Sequence, residues 1–242
     1  MPFVKVCGIR SREEADAALG CGATALGFLV GLTHRAADEI AEAEARAIVG
    51  RLPAGAEAVL VTHLLDPARV AELAASVGAR TIQVHGDMAL PDLRGLRALA
   101  PEARLLKAVH VTGEDAIGRA LAWAAADADA LVLDSRTADR LGGTGRTHDW
   151  SVSARIVAAV ARLPVYLAGG LTPENVAEAV ARVRPAGVDA NSGVEDADGR
   201  KDERRMRAFV DRARAALEVD GVAAQGSPNG SALGRGPDES RG

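Results

Sequence analysis

The sequence predicts an α/β chain folded as a single (β/α)8 TIM barrel with a disordered C-terminal tail. Three observations lead there. Short runs rich in Val, Leu and Ile recur along the chain. Alanine-rich stretches of helical spacing separate them, and the alternation repeats about eight times within some 220 residues. Strands that alternate with helices pair in parallel, because each crossover returns the chain to the same sheet edge. Eight such units suit a closed barrel near the lower end of its usual size. An open, doubly wound sheet is the alternative, but it uses fewer strands, and no G-x-G-x-x-G fingerprint follows the first run.

In order, the strands are read at 3–6 (FVKV), 25–30 (ALGFLV), 58–62 (AVLVT) and 81–84 (TIQV). Four more follow at 104–109 (RLLKAV), 130–134 (ALVLD), 165–168 (VYLA) and 187–190 (GVDA). Amphipathic spacing predicts helices at 11–20, 42–52, 67–78, 152–163 and 173–183. Pro67 and Pro173 fit the first turn of their helices. A last helix over 201–219 closes the barrel, giving one domain at 1–219. From Asp220 the chain is rich in Gly, Ser, Pro and Asp with no apolar period, so 220–242 is expected to be a disordered tail.

Composition narrows the function. The 242 residues are 48% hydrophobic but only 2% aromatic, which favours many small packing units. Net charge is -4 with the signs interspersed, so no basic face points to nucleic acid. No apolar run approaches the roughly 18 residues of a membrane helix, and the start lacks a signal peptide's apolar stretch. Cys7 and Cys21 give neither a disulfide framework nor a CxxC metal pair. A soluble cytoplasmic protein is expected, with no nucleic-acid or membrane partner; oligomeric state is not legible.

In this fold, catalytic groups sit at the C-terminal ends of strands and in the loops that follow. Cys7 ends strand one, His63, His85 and His110 end strands three to five, and Asp134 ends strand six. Gly169 and Gly170 follow strand seven; Asn191, Ser192 and Gly193 follow strand eight. Loops seven and eight are this fold's frequent phosphate site, and the run AGGLTPENV adds Thr172 as an N-cap before Pro173. The loop DSRTADRLGGTGRTHDW is long enough to serve as a lid, and its GGTGRT is not a Walker A motif. Lys5 and Cys7 share strand parity, so a cation one layer below the thiol is expected to favour its thiolate. Cys7 and Asp134 at one mouth, above a phosphate site, suggest acid–base work on a sugar phosphate.

Together KVCGIR, ALGFLV, QVHG, LVLDS, GGTGRTHDW, LAGGLTPENV and GVDANSGVED resemble the phosphoribosylanthranilate isomerase family, over about Val4 to Asp202. The resemblance implies an Amadori rearrangement of N-(5-phosphoribosyl)anthranilate in tryptophan biosynthesis, with neither metal nor organic cofactor and a small phosphoribosyl substrate as partner. It implies that Asp134 is the general acid that opens the furanose ring and Cys7 the general base. By the same resemblance, Gly170, Ser192 and Gly193 hold the phosphate, Gly143 belongs to the lid, and His85 lines the pocket. After strand two the family reads Gly-Phe-x-Phe, a linker and Ser-Pro-Arg; GFLVGLTHRAADEI lacks the second aromatic and the proline. Arg35 aligns with the arginine that meets the anthranilate carboxylate. The residues leave three other readings: a related phosphoribosyl amine as substrate, a metal held by His34, His63, His85 and His110, or a phospho-ligand binder without catalysis.

Overall fold

The computed structural model describes residues 1–33, 36–137, 140–141, 147–160 and 162–225. Eight parallel strands close into a barrel: β1 (Phe3–Val6), β2 (Ala25–Leu29), β3 (Glu57–Thr62), β4 (Thr81–Val84), β5 (Arg104–His110), β6 (Ala130–Asp134), β7 (Val165–Leu167) and β8 (Gly187–Ala190). Neighbours in sequence are neighbours in the sheet, and β1 closes the ring on β8 with Lys5 opposite Asp189. The helices are α1 (Arg12–Gly20), α2 (Glu42–Val49), α3 (Pro67–Val77), α4 (Leu90–Leu99), α5 (Asp115–Ala124), α6 (Trp150–Ala159), α7 (Val176–Val183) and α8 (Glu203–Gln225). A 3-10 turn spans Ser192–Val194, and a short antiparallel pair joins Arg136–Thr137 to Arg140–Leu141 in the loop after β6. No helix among the described residues is long and apolar enough to cross a membrane.

Local chemistry sets several boundaries. Ser11 accepts the Glu14 N–H at 3.2 Å, and Asp66 accepts the Ala68 N–H at 2.9 Å ahead of Pro67, so α1 and α3 start on side-chain caps. The start of α7 differs from expectation. Asn175 Oδ1 accepts the Thr172 N–H at 2.8 Å while its Nδ2 donates to Gly170 O at 2.9 Å, winding 172–175 into a turn. The helix therefore begins at Val176, and Thr172 is not its N-cap. At the other end α8 continues to Gln225, six residues past the expected boundary at 219.

Strand alternation divides the core in two. Outward residues such as Val4, Leu26, Leu60, Ile82, Leu105, Leu133 and Val188 are buried under the helices. Inward residues fill the barrel as a smaller cluster that includes Cys7, Val59, Leu106, Val132 and Tyr166. The mouth of that inner core holds the site.

Candidate active site

The barrel interior is polar in a layered way. At its floor the Phe3 and Tyr166 rings stack at 3.9 Å beneath the Arg104 guanidinium, which pairs with Glu57 at 2.8 Å. One layer up, Lys5 Nζ donates to Asp189 Oδ2 at 2.7 Å and to Gln83 Oε1 at 2.9 Å, and lies 3.3 Å from Cys7 Sγ. Gly27 makes room for this: a Cβ there would stand 2.6 Å from Cys7 Sγ and 2.8 Å from Lys5 Cε.

The top layer is a cleft of about 740 Å³, its open mouth included, within the size range of small-molecule sites. Cys7, His85, Asp134, Gly170, Ser192 and Gly193 all line it. Six of the eight residues read from sequence are thus brought together. Arg35 and Gly143, with His34, lie outside the described residues. Sequence reasoning did not assign Gln83, Asp189 and Asn191, which also line the cleft. A signal was available for the first two: each is a polar residue inside a short apolar strand. Asp189 Oδ1 is buried and has no hydrogen-bond partner among the described residues.

Electrostatics differ from the sequence expectation at Cys7. Burial alone would lower the Lys5 ammonium's pKa, but the Asp189 carboxylate and then Cys7 outweigh it, and Lys5 is held above its usual value. The cation stands where parity put it, yet Asp189 already engages its charge. Burial therefore dominates at the thiol and, with Asp189, pushes Cys7 up to about 12 against the pull of Lys5. At that value Cys7 is a thiol near neutrality, not a thiolate.

Asp134 moves the other way functionally. Burial, and next the Asp189 charge, lift its carboxyl to about 7, against the Ser135 N–H that donates to Oδ1 at 2.7 Å. A carboxyl group at that value still carries its proton near neutrality and can donate it. His85 is neutral, held well below its usual value by burial and then by His110 and His63. Because Gln83 Oε1 accepts from Lys5, its amide N–H faces His85 Nδ1 at 3.3 Å. That assigns the imidazole proton to Nε2, which is 3.7 Å from Asp134 Oδ2.

Loops seven and eight pack closely. Gly169 has a left-handed φ of 78°, and a Cβ there would lie 2.5 Å from Ser135 N and 2.9 Å from Asp134 Oδ1. A Cβ on Gly193 would run into the Leu171 carbonyl oxygen. The Ser192–Val194 turn begins beside them, and the first N–H groups of such a turn have no partner within it. The histidines form a row: the His63 and His85 rings stack at 5.3 Å, and His110 meets His85 edge-on at 5.0 Å. Among the described residues no three His, Cys, Asp or Glu side chains are grouped so as to hold a metal.

Comparison with known proteins adds to this geometry. A family model described as N-(5'-phosphoribosyl)anthranilate (PRA) isomerase matches residues 4–212. An N-(5'-phosphoribosyl)anthranilate isomerase 2 of Methanosarcina mazei is 42% identical over 213 residues, covering 87% of this chain and 93% of that protein. The solved phosphoribosyl anthranilate isomerase of Thermotoga maritima superposes with a TM-score of 0.78 at 32% identity, over 89% of this chain and all of the other. A solved isomerase in complex with reduced 1-(o-carboxyphenylamino)-1-deoxyribulose 5-phosphate gives 0.74 at 31% identity, covering 89% of this chain and 100% of that one.

Proposed function

The chain belongs to the N-(5'-phosphoribosyl)anthranilate isomerase family, and from that premise we propose how its own residues perform the reaction. It catalyses the Amadori rearrangement of N-(5'-phosphoribosyl)anthranilate to 1-(2-carboxyphenylamino)-1-deoxyribulose 5-phosphate in tryptophan biosynthesis. Asp134 is the general acid. Its proton passes to the furanose ring oxygen, the bond from that oxygen to C1' breaks, and C1' and the amine nitrogen become an iminium cation.

Cys7 is the general base, and its protonation state sets the order of events. A thiol at about 12 cannot take a proton until it has lost its own. The iminium places a positive charge beside Lys5 and the sulfur, which favours the thiolate. The carboxylate left on Asp134 is then the natural acceptor for the thiol proton. The thiolate removes the C2' proton to give a neutral enolamine, which tautomerises to the ketone. Acid and base end as they began, so the cycle needs no net proton from solvent.

Gly170, Ser192 and Gly193 hold the phosphate, Arg35 meets the anthranilate carboxylate, and His85 lines the pocket beside Asp134. Gly143 keeps the lid role that the family resemblance implies for it. Two buried free cysteines, Cys7 and Cys21, suit a reducing compartment and support a cytoplasmic location. One observation carries the reading: a carboxyl lifted to about 7 and a thiol line a single cleft at the strand ends. Phosphoribosylanthranilate generated in situ and followed by its disappearance tests it. Wild type turns it over, and Cys7→Ser and Asp134→Asn each lose at least about 100-fold. A folded wild type without turnover would refute the substrate; near-normal rates in both variants would refute the mechanism.

A further inference from the structure

Loop eight and the loop after β2 meet over the strand that carries Cys7 toward the mouth. In the closed ring β1 lies between β8 and β2, so Asn191, which follows β8, and Asp38, in the loop after β2, flank the end of β1. Asn191 Nδ2 donates to Asp38 Oδ2 at 2.6 Å, joining residues 153 positions apart. The bond passes over Gly8, which follows Cys7 and has a left-handed φ of 73°. A Cβ there would stand 2.5 Å from Asn191 Oδ1 and 2.9 Å from Asp38 Oδ2, so only glycine leaves this space.

The amide at 191 matches both of its neighbours. Its Oδ1 accepts from Lys201 Nζ at 2.6 Å, and that ammonium, on a wholly buried side chain, also donates to Glu195 Oε1 at 2.6 Å. An ammonium only donates and a carboxylate only accepts, so the two partners fix which way the amide points. A carboxylate in its place would keep Lys201 but meet Asp38 with like charge. The other half of the bond stands where the loop after β2 closes. Ile40 N–H donates to Leu29 O at 3.0 Å, and Leu32 N–H donates to Glu39 Oε1 at 2.9 Å. The two ends of this loop are thus held together, and Arg35 falls between them in the sequence. Asp38 and Asn191 both line the cleft.

We propose that Asn191 and Asp38 are a positioning pair: a clasp that fixes the loop carrying Arg35 against the turn that holds the phosphate, so that filling either end of the cleft favours filling the other. The assignment rests on the isomerase reading for what occupies the two ends. An anion held by the Ser192–Gly193 turn steadies Asn191, and the clasp passes that order to Asp38 and its loop. Coupling between two bound groups is reciprocal, so the carboxylate end steadies the phosphate end by the same factor.

Exchanging donor and acceptor tests the clasp. Anthranilate is titrated by calorimetry into wild type, Asn191→Asp, Asp38→Asn and the double variant, without and with saturating inorganic phosphate. Turnover and melting temperature are followed alongside. In wild type, phosphate tightens anthranilate about fivefold, the low end of usual coupling. Asn191→Asp keeps the Lys201 contact but sets two carboxylates face to face. The gain disappears there, and KM rises several-fold with a smaller change in kcat. Asp38→Asn still offers an oxygen to the Asn191 amide and keeps the gain. The double variant reverses the bond at unchanged net charge, and it recovers the coupling and the KM of wild type.

Independent binding of the two fragments in wild type would overturn the proposal. So would a lower melting temperature in Asn191→Asp with coupling and KM intact, which a merely structural bond predicts. A double variant no better than Asn191→Asp would also overturn it, assigning the loss to the altered turn alone. A wild type that shows the coupling but turns nothing over would refute the isomerase reading and leave the clasp in place.

Discussion

At the scale of single residues, two protonation states govern the proposed chemistry. As the proposed acid, Asp134 must carry a proton to open the ring, and it is lifted to about 7 by burial and the Asp189 charge. Cys7, at about 12, is a thiol throughout the same range. The productive resting form holds both protons, so kcat/KM falls as pH rises through about 7 and does not fall on the acid side until other groups titrate. A pH profile that rises through 7 would instead indicate one proton shared between the two groups at rest. The same shift carries a stability consequence. A carboxyl raised in the folded state binds its proton more tightly there than when unfolded, so folding stability drops as pH climbs from about 4 to about 7. Asp134→Asn removes that loss. Denaturant unfolding finds it more stable than wild type at pH 8, on the order of a few kcal/mol, with little difference at pH 4. The placement of Cys7 and Asp134 was legible because a strand end is legible. Their proton affinities were not, since these depend on Asp189 and on burial, and neither follows from the local run of residues.

Strands were the most legible elements, because each is a short Val/Leu/Ile run between turn residues. The expected 3–6, 81–84, 130–134 and 187–190 coincide with the observed strands, and β5 runs one residue further, to His110. Ambiguity gathered at helix starts. Thr172-Pro173-Glu174 has the composition of a capped first turn, but Asn175 competes for the Thr172 N–H and delays α7 to Val176. Loop eight was legible as a glycine turn, but its contacts were not. Arg205 of α8 donates to Gly193 O at 3.0 Å, and Lys201 Nζ reaches Asn191 Oδ1 at 2.6 Å, so a distant segment braces the turn. Gly193→Ala tests how closely loops seven and eight must approach. A Cβ against the Leu171 carbonyl forces them apart, at about 1–3 kcal/mol of overpacking. Thermal unfolding reports that loss, while phosphate inhibition weakens and anthranilate inhibition holds. Equal weakening of both would mean that the whole mouth had distorted.

For the molecule as a whole, the question is where the folded barrel ends. Helix α8 packs on α7, α1 and β1, spanning the place where the barrel closes. Among its described side chains, Met206, Phe209, Val210, Ala213 and Leu217 are buried. Arg212 adds a hydrogen bond to Pro173 O at 2.6 Å, ahead of α7. Each of the larger apolar side chains contributes about 1.5–3 kcal/mol by burial. Four of them together rival the roughly 5–15 kcal/mol that holds a typical domain folded. A chain ended after Val219 keeps every one of these anchors, and a chain ended after Asp202 loses all of them. The first therefore melts within a few degrees of the full chain and retains its kcat/KM, whereas the second shows no cooperative transition. Circular dichroism melts with the turnover assay decide it. A marked loss of stability or rate in the chain ended at 219 would mean that residues 220–242 belong to the folded unit or to its site.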